Sequence, residues 1–263
     1  MSDRPGFDIK DLKKVYATKS SPETTVKLCY TQREVYIRPM KIKDKKEVLK
    51  AIESKKENII NKALDEIIEK YVEPVDGDEF EVKHLTTQER HQILVHIRVA
   101  AAGETAKIVH ECPHCETLNR NIEYNLNDMY VQSYKEPETG NFIELAEGAI
   151  KVHLGPMTRD TEVQIESYIK KNRIETASEK NFALMSGVIK KIEMNQDDMI
   201  GEVTMSVQDR VEFFENLSNK EFEIITEYFK SIDFGAKMPF DFTCEKCGHS
   251  EEQEVNVAVF FIS

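Results

Sequence analysis

The sequence of 263 residues has no tryptophan, and it contains only 10 glycines and 8 prolines. Together these two residue types fall well below the roughly 12 per cent of an average protein, which argues against long disordered tracts. A chain of this length buries about three quarters of the surface that its unfolded form exposes, so it does not need disulfide bonds to fold. The composition therefore predicts a compact, helix-rich protein, which the helix and strand patterns described below place in the α+β class.

Long apolar segments and net positive charge are also missing. The longest apolar run is VAVFFI at residues 257–262, far shorter than the roughly 20 residues of a membrane-spanning helix, and the first residues do not form a signal-peptide pattern. A formal net charge of -12 opposes binding to phosphate backbones and to anionic lipids. We expect a cytoplasmic protein that binds neither nucleic acid nor membrane.

Familiar catalytic motifs are absent as well. The sequence contains no GxSxG, HExxH, GxxxxGKS/T or GxGxxG, the patterns that mark common hydrolase, metalloprotease, P-loop and dinucleotide sites. Its 48 acidic residues bring carboxylates together by chance, so a pair of them does not identify an acid/base site. We therefore predict that the protein is not an enzyme.

The order of helix and strand patterns predicts an arm followed by one domain. Residues 1–31 are polar and include SSPETT, which predicts a mobile or partner-ordered arm, and residues 32–263 are predicted to form a single domain. Residues 33–39 have the β-branched and aromatic content of a strand. The middle of the chain is predicted to be helical apart from a strand at residues 148–154, and its amphipathic segments are RDTEVQIESYIKK, SEKNFALMSGVIKKI and SVQDRVEFFENL.

Three helix starts have the spacing of a capping box, in which an N-cap side chain and a carboxylate three residues later bond each other's backbone amides. The pairs are Asp44 with Glu47, Thr86 with Glu89, and Ser218 with Glu221. The first pair would begin a helix that precedes a second amphipathic helix at residues 56–71. The other two helices are predicted to end at or near Gly103 and Gly235, because glycine commonly follows the last residue of a helix.

Each of these glycines precedes a CxxC element by nine residues. The elements are CPHC and CEKC, and each lies between two stretches with strand-like alternation. The chain therefore contains two copies of one unit, at about residues 86–126 and 218–258, with the helical middle between them. The fifth cysteine, Cys29, lies in VKLCY and is predicted to be a small strand residue.

The two CxxC elements suit either a redox-active dithiol or a metal site in a reducing compartment. A catalytic dithiol lies at a helix N-terminus, whereas CPHC is followed by a polar turn and by the alternating Ile122, Tyr124 and Leu126. This pattern favours a zinc knuckle, a CxxC element in the tight turn of a β-hairpin. Two facing knuckles would bind one structural zinc ion through four ligands: Cys112, Cys115, Cys244 and Cys247. A redox dithiol is the alternative, and His114 or His249 could replace one cysteine.

The C-terminal VAVFFIS has no polar face. It either completes the core beside the second knuckle or docks Phe260 and Phe261 into a partner, since aromatic anchors often dominate binding energy. No pattern in the sequence determines the oligomeric state.

The sequence resembles the baseplate hub and hub-assembly proteins of T4-like contractile-tailed bacteriophages over most of residues 32–263. The likeness rests on YIRPM, RVAAAG, CPHC, NLNDMYV, PMTRD, MPFDFTCEKCG and NVAVFF, which occur in this order. The two CxxC elements are its most specific marks, and the charged residues 43–76 depart from the family pattern.

This resemblance implies a non-enzymatic baseplate component or assembly factor that binds other baseplate and tail proteins. It implies a location in the host cytoplasm during assembly and in the virion tail, and it carries the metal-ligand role onto Cys112, Cys115, Cys244 and Cys247, which would hold one structural Zn²⁺. Two other classes stay open. They are a zinc-ribbon adaptor that binds nucleic acid, which would need a basic face, and a CxxC thiol oxidoreductase.

Overall fold

The computed structural model describes residues 24–137, 140–196, 199–203 and 205–255. Most of the predicted arm lies outside the described residues, as does the C-terminal segment with Phe260 and Phe261. Within the described part of the chain, no helix has both the length and the apolar character needed to cross a membrane.

Seven helices and thirteen strands lie in the described residues. The helices are α1 (Ile42–Glu53), α2 (Glu57–Tyr71), α3 (Thr87–Ala102), α4 (Arg159–Lys171), α5 (Ala177–Ser186), α6 (Val207–Glu215) and α7 (Asn219–Ser231). The strands are β1 (Thr24–Lys27), β2 (Glu34–Ile37), β3 (Val72–Pro74), β4 (Thr105–Glu111), β5 (Leu118–Asn125), β6 (Tyr130–Gln132), β7 (Phe142–Leu145), β8 (Ile150–Leu154), β9 (Ile189–Gln196), β10 (Met199–Val203), β11 (Gly235–Lys237), β12 (Pro239–Thr243) and β13 (Ser250–Glu254). The predicted mixture of helices and small sheets is confirmed.

The first core takes residues from both ends of the described chain. Strands β1, β2 and β3 form an antiparallel sheet, and helices α1, α2 and α3 add buried apolar residues to the same core. The β4–β5 hairpin contributes Ile108 and Tyr124, while Met238 and Val255 join from the two ends of the β12–β13 hairpin. Two hairpins that lie far apart in the sequence therefore share one apolar core.

A second core lies in the part of the chain between these hairpins. Strands β7 to β10 form an antiparallel sheet in the order β10-β9-β8-β7, and its buried Val152 and Ile189 belong to one cluster with Phe214 of α6 and Ile225 of α7. Helices α4, α5 and α6 enclose a smaller cluster that includes Ile165. The chain leaves the first core through β6 and returns to it through β11, and these two strands pair with each other.

The prediction of a helical middle is wrong in part, because this region contains the four-stranded sheet as well as helices. The amphipathic segment at residues 178–192 is helical only as far as Ser186, and β9 follows it. This strand lies between β8 and β10 and buries Ile189 and Ile192 in the second core. Pairing along both edges satisfies the backbone groups of β9, and this outweighs the helical spacing of its apolar residues.

Two of the three predicted capping boxes are confirmed. Thr86 Oγ1 accepts a hydrogen bond from the Glu89 backbone N–H at 3.2 Å, and the Glu89 carboxylate accepts one from the Thr86 backbone N–H at 3.1 Å. Ser218 and Glu221 make the same pair of bonds at the start of α7. Helix α3 ends at Gly103 as predicted, with a φ of 83° that glycine adopts without a Cβ clash.

The third predicted capping box, Asp44 with Glu47, is wrong. Helix α1 begins before Asp44, and its N-cap residue Lys41 makes no side-chain cap. The Asp44 carboxylate instead accepts hydrogen bonds from Lys70 Nζ and Tyr71 Oη at the end of α2. Partial burial would raise the pKa of Asp44, but these two hydrogen bonds outweigh it and hold the pKa below its ordinary value. The Asp44 carboxylate therefore makes a tertiary contact in place of the helix cap that its spacing predicted.

Strand β1 falls within residues 1–31, the predicted arm, and it pairs with β2. The backbone N–H and Oγ1 of Thr31 both donate to Glu89 Oε1 at 2.7 Å, and the Cys29 backbone N–H donates to Gln92 Oε1 at 2.9 Å. This part of the predicted arm is therefore held by α3 and belongs with the first core.

Cys29 was predicted to be a strand residue, but it lies in the turn after β1. Burial raises the pKa of its thiol to about 12.

A buried ion network joins α2 and α3 of the first core to α4. Arg159 Nε lies 2.8 Å from Asp65 Oδ2, and Arg90 Nη2 lies 2.6 Å from the other oxygen of the same carboxylate. Glu162 contacts both guanidinium groups at 3.1 and 3.2 Å, and Glu166 accepts from Arg159 Nη1 at 2.9 Å. Arg90 and Arg159 are only 4% and 5% exposed. Buried charges of this kind are stable only when paired, so the network fixes how the helices meet.

We predict that Arg159→Ala lowers the free energy of unfolding by about 3 kcal/mol, because it removes one of the two buried guanidinium groups and leaves Asp65 and Glu162 to share Arg90 alone. Arg120→Ala, at an exposed arginine of β5, should change it by less than about 0.5 kcal/mol. Chemical denaturation of the two purified variants measures both values. Similar small losses for both substitutions would show that the network does not stabilise the fold.

Candidate metal centre

Both CxxC elements lie in the turns of β-hairpins, as predicted. In the first hairpin β4 pairs with β5, and in the second β12 pairs with β13. The Cys112 backbone N–H donates to the Thr117 carbonyl at 3.0 Å, and the Cys244 backbone N–H donates to the His249 carbonyl at 2.8 Å. Each bond joins the first cysteine to the residue five positions later, so the two turns have the same backbone pattern.

A left-handed residue closes each turn at the same position. The residue four positions after the first cysteine is Glu116 in one hairpin and Gly248 in the other, with φ values of 55° and 70°. Its backbone N–H donates to the carbonyl of that cysteine, at 2.8 Å for Cys112 and 3.0 Å for Cys244. This conformation turns the chain around the sulfur atoms, and a residue with a Cβ adopts it only at a cost.

The two turns bring all four cysteine sulfurs into one cluster. The Sγ atoms lie within 4.8 Å of one another, with 3.7 Å between Cys112 and Cys247 and 3.6 Å between Cys115 and Cys244. A disulfide bond would require about 2.05 Å, whereas four sulfurs about 2.3 Å from a tetrahedral zinc ion are roughly 3.8 Å apart. The spacing therefore fits a metal ion, and all four cysteines are free thiols.

This geometry differs from that of a redox dithiol. The two short sulfur contacts each join one hairpin to the other. Neither CxxC element lies at a helix N-terminus in the described structure, the setting that activates one sulfur of a catalytic pair. The arrangement suits joint coordination of one ion by two hairpins.

The electrostatics of the cluster favour a cation. The backbone N–H of Cys247 donates to Cys244 and lowers the pKa of that thiol to about 6, against the opposing effect of burial. The backbone N–H of His249 would lower the pKa of Cys247, but partial desolvation of its sulfur and the neighbouring sulfurs outweigh it and raise the pKa to about 12. The four sulfurs cannot all carry negative charge so close together without a positive ion between them.

The cluster is buried on one side and open on the other. Cys112 and Cys244 are 0% and 2% exposed and pack with Phe242, whereas Cys247 is exposed. The ring of His110 lies 4.4 Å from that of Phe242 and covers the buried side. Apolar walls of this kind strengthen the attraction between thiolates and a cation.

No histidine nitrogen joins the four sulfurs in the described part of the chain. Among the described residues, the group of potential ligand atoms that meet at this point consists of the four cysteine sulfurs alone. The rings of His114 and His249 stack on each other nearby, 5.7 Å apart and 13° from parallel. The two histidines that could substitute as ligands are therefore paired with each other.

Three polar residues around the cluster were not recognised in the sequence. The Asn119 side-chain amide lies 3.7 Å from Cys244 Sγ, and His110 Nε2 lies 3.4 Å from Glu251 Oε1. Asn119 and Glu251 each follow the first cysteine of their hairpin by seven residues. A comparison of equivalent positions in the two repeated units could have revealed Asn119 and Glu251 from the sequence.

These observations define a class of protein: an α+β chain in which two β-hairpin knuckles bring four cysteines together at one possible metal site. The family model described as T4 bacteriophage base plate protein matches residues 21–261 of this chain, and the chain belongs to that family. No curated protein and no solved structure matches the chain. The resemblance to T4-like phage baseplate proteins is thereby confirmed, and membership supports a structural role in the phage tail alongside other tail proteins.

We predict opposite effects for two substitutions at the matched left-handed positions. Gly248→Ala should lower the free energy of unfolding by about 1 kcal/mol or more, because alanine is strained at positive φ, although its Cβ would meet no atom within 4 Å. Glu116→Gly should raise it by up to about 1 kcal/mol, because it relieves the same strain. Denaturant titrations of both variants measure these values, and equal signs would contradict the equivalence of the turns.

Proposed function

We propose that this chain is a structural component or assembly factor of the baseplate hub of a contractile phage tail. It would act without catalysis, by binding other tail proteins, first in the host cytoplasm and then in the virion. Its membership of a baseplate family supports this role. The observation that carries the molecular part of the proposal is the meeting of four sulfurs within 4.8 Å on hairpins that lie far apart in the sequence.

The proposed ligands of a single zinc ion are Cys112, Cys115, Cys244 and Cys247. When bound, zinc would supply four metal–thiolate bonds in a closed tetrahedral set, with no open position for water or substrate, which is the pattern of structural sites. The 128 residues between Cys115 and Cys244 include the whole second core. Closing so long a segment costs only logarithmically more conformational entropy than closing a short loop, so the wide separation of the two hairpins does not oppose a shared site.

We predict one zinc ion per chain in the purified protein and a lower melting temperature after its removal, because binding energy at a site that exists only in the folded state adds to folding energy. Cys247→Ser should abolish stoichiometric binding with little change in packing, since this cysteine is exposed. Cys29→Ala removes a buried cysteine outside the cluster and should retain the ion.

Elemental analysis and a thiol count on the same native sample measure the stoichiometry, and thermal melts with and without a chelator measure the stabilisation. Wild-type protein without metal, or with the same melting temperature after proven metal removal, would rule out the metal clamp. Binding of any other metal in place of zinc would correct the identity of the ion and leave the clamp in place.

The alternative functions have less support. A nucleic-acid adaptor needs a basic face, and the chain has a formal net charge of -12, which opposes binding to phosphates. A thiol oxidoreductase needs one CxxC element that cycles by itself, whereas the short sulfur contacts join opposite hairpins.

An apolar surface near α5 and α7 suits the proposed binding role. It surrounds a cavity of about 280 Å³ whose walls are Met185, Val188, Phe214, Ile225, Thr226, Phe229 and Lys230. Phe182 is 37% exposed and its ring lies 6.2 Å from that of Phe214, so an exposed aromatic side chain extends the apolar wall. We propose that this cavity receives an apolar side chain of another tail protein, with Phe182 as the aromatic anchor beside it.

We predict that Phe182→Ser in the phage that encodes this chain lowers the yield of infectious particles, because losing an apolar contact of about 1.4 kcal/mol would weaken binding of the partner about tenfold. Ile42→Ser serves as the matched control, because Ile42 is 77% exposed on α1, outside the cavity. Plaque counts measure the yield, and thermal melts of the purified variants test that both remain folded. Equal yields for the two variants would exclude this surface.

A further inference from the structure

One buried side chain connects the two hairpins at the sulfur cluster. Asn119 on β5 is 3% exposed, and its Oδ1 accepts a hydrogen bond from the Glu245 backbone N–H of the other hairpin at 3.0 Å. Its Nδ2 donates to the Thr117 carbonyl at 2.9 Å and to Cys244 Sγ at 3.7 Å. A single amide therefore binds its own turn, the opposite backbone and a candidate ligand sulfur.

The chemistry at this position requires both an acceptor and a donor on one short side chain. The acceptor faces a backbone N–H of Glu245, while the donor faces a carbonyl oxygen and a sulfur. Turning the amide by 180° would place its NH₂ group against another N–H, so the contacts determine its orientation. Aspartate would keep the acceptor and lose the donor, and alanine would lose both.

The matched residue in the second hairpin makes a different contact. Glu251, like Asn119, follows the first cysteine of its hairpin by seven residues, and it reaches across to His110 at 3.4 Å. Both side chains therefore join one hairpin to the other, and Asn119 in addition touches one of the four sulfurs. Substitution of Glu251 therefore tests packing between the hairpins alone, whereas substitution of Asn119 also tests a role in the metal site.

We propose that Asn119 is a positioning residue of the metal centre, which holds the second hairpin against the first and orients Cys244 Sγ for the ion. The inference rests on the proposed metal binding. Polar groups that contact metal ligands in this way typically change metal affinity by about 10–100-fold when they are removed.

The test compares zinc affinity in full-length wild-type protein, Asn119→Ala, Asn119→Asp and Asn125→Ala, measured by competition with a chromophoric chelator. Asn125 lies on the same strand but is exposed, and its Oδ1 accepts a hydrogen bond from the Asn127 backbone N–H of its own turn. We expect both Asn119 variants to bind zinc about 10–100-fold more weakly and Asn125→Ala to match the wild type. Asn119→Asp keeps the acceptor for Glu245, so it decides the outcome if Asn119→Ala does not fold.

A second measurement separates a positioning role from packing. The absorption bands of bound Co²⁺ report the geometry and charge of its sulfur ligands, so Asn119→Asp should shift them while Glu251→Gln leaves them as in the wild type. If the wild type binds one ion and both Asn119 variants match its affinity and spectrum, the positioning role is refuted and the metal clamp stands. If the wild type binds no ion, the metal clamp and the positioning role both fail.

Discussion

The position of the four sulfurs depends on the apolar core that the two cysteine hairpins share. Ile108 and Tyr124 of the first hairpin lie in one cluster with Met238 and Val255, which flank the second. Burial of these side chains brings the turns together whether or not an ion is present, since apolar burial needs no directional partner. A metal ion would then bind to turns that apolar packing has already brought together. The loss of conformational entropy needed to form the site would be offset mostly by burial in the core.

This arrangement determines how the rest of the chain is accommodated. The segment between the hairpins forms its own sheet and core. It is attached through the paired strands β6 and β11, of which β11 contacts α3, and where Arg159 of α4 meets Asp65 of α2. The first attachment, through β11, lies just before the second hairpin in the sequence. The second, through the ion pair, joins α4 to α2. The second core is therefore held at two separate places, which limits its motion relative to the first more than a single linker would.

Much of this architecture was predictable from the sequence where local chemistry decides the structure. The capping boxes at Thr86 and Ser218, the stop at Gly103 and the hairpin turns at both CxxC elements follow from short-range hydrogen bonding and backbone preference. The failures came from long-range contacts: Lys70 and Tyr71 take the Asp44 carboxylate, and pairing between strands converts a helix-like pattern into β9. Spacing could identify the four candidate ligands, but the contact of Asn119 with Cys244 exists only once the hairpins are packed.

The two hairpins are alike in backbone and unlike in side chain, and the differences make the sulfur cluster asymmetric. Matched positions hold Glu116 and Gly248 at the left-handed residue. They also hold His110 and Phe242 two residues before the first cysteine, and these two rings are in contact. A site formed by two identical hairpins would place like side chains against each other, whereas here an aromatic ring meets an imidazole. Each hairpin is therefore complementary to the other and not to a copy of itself.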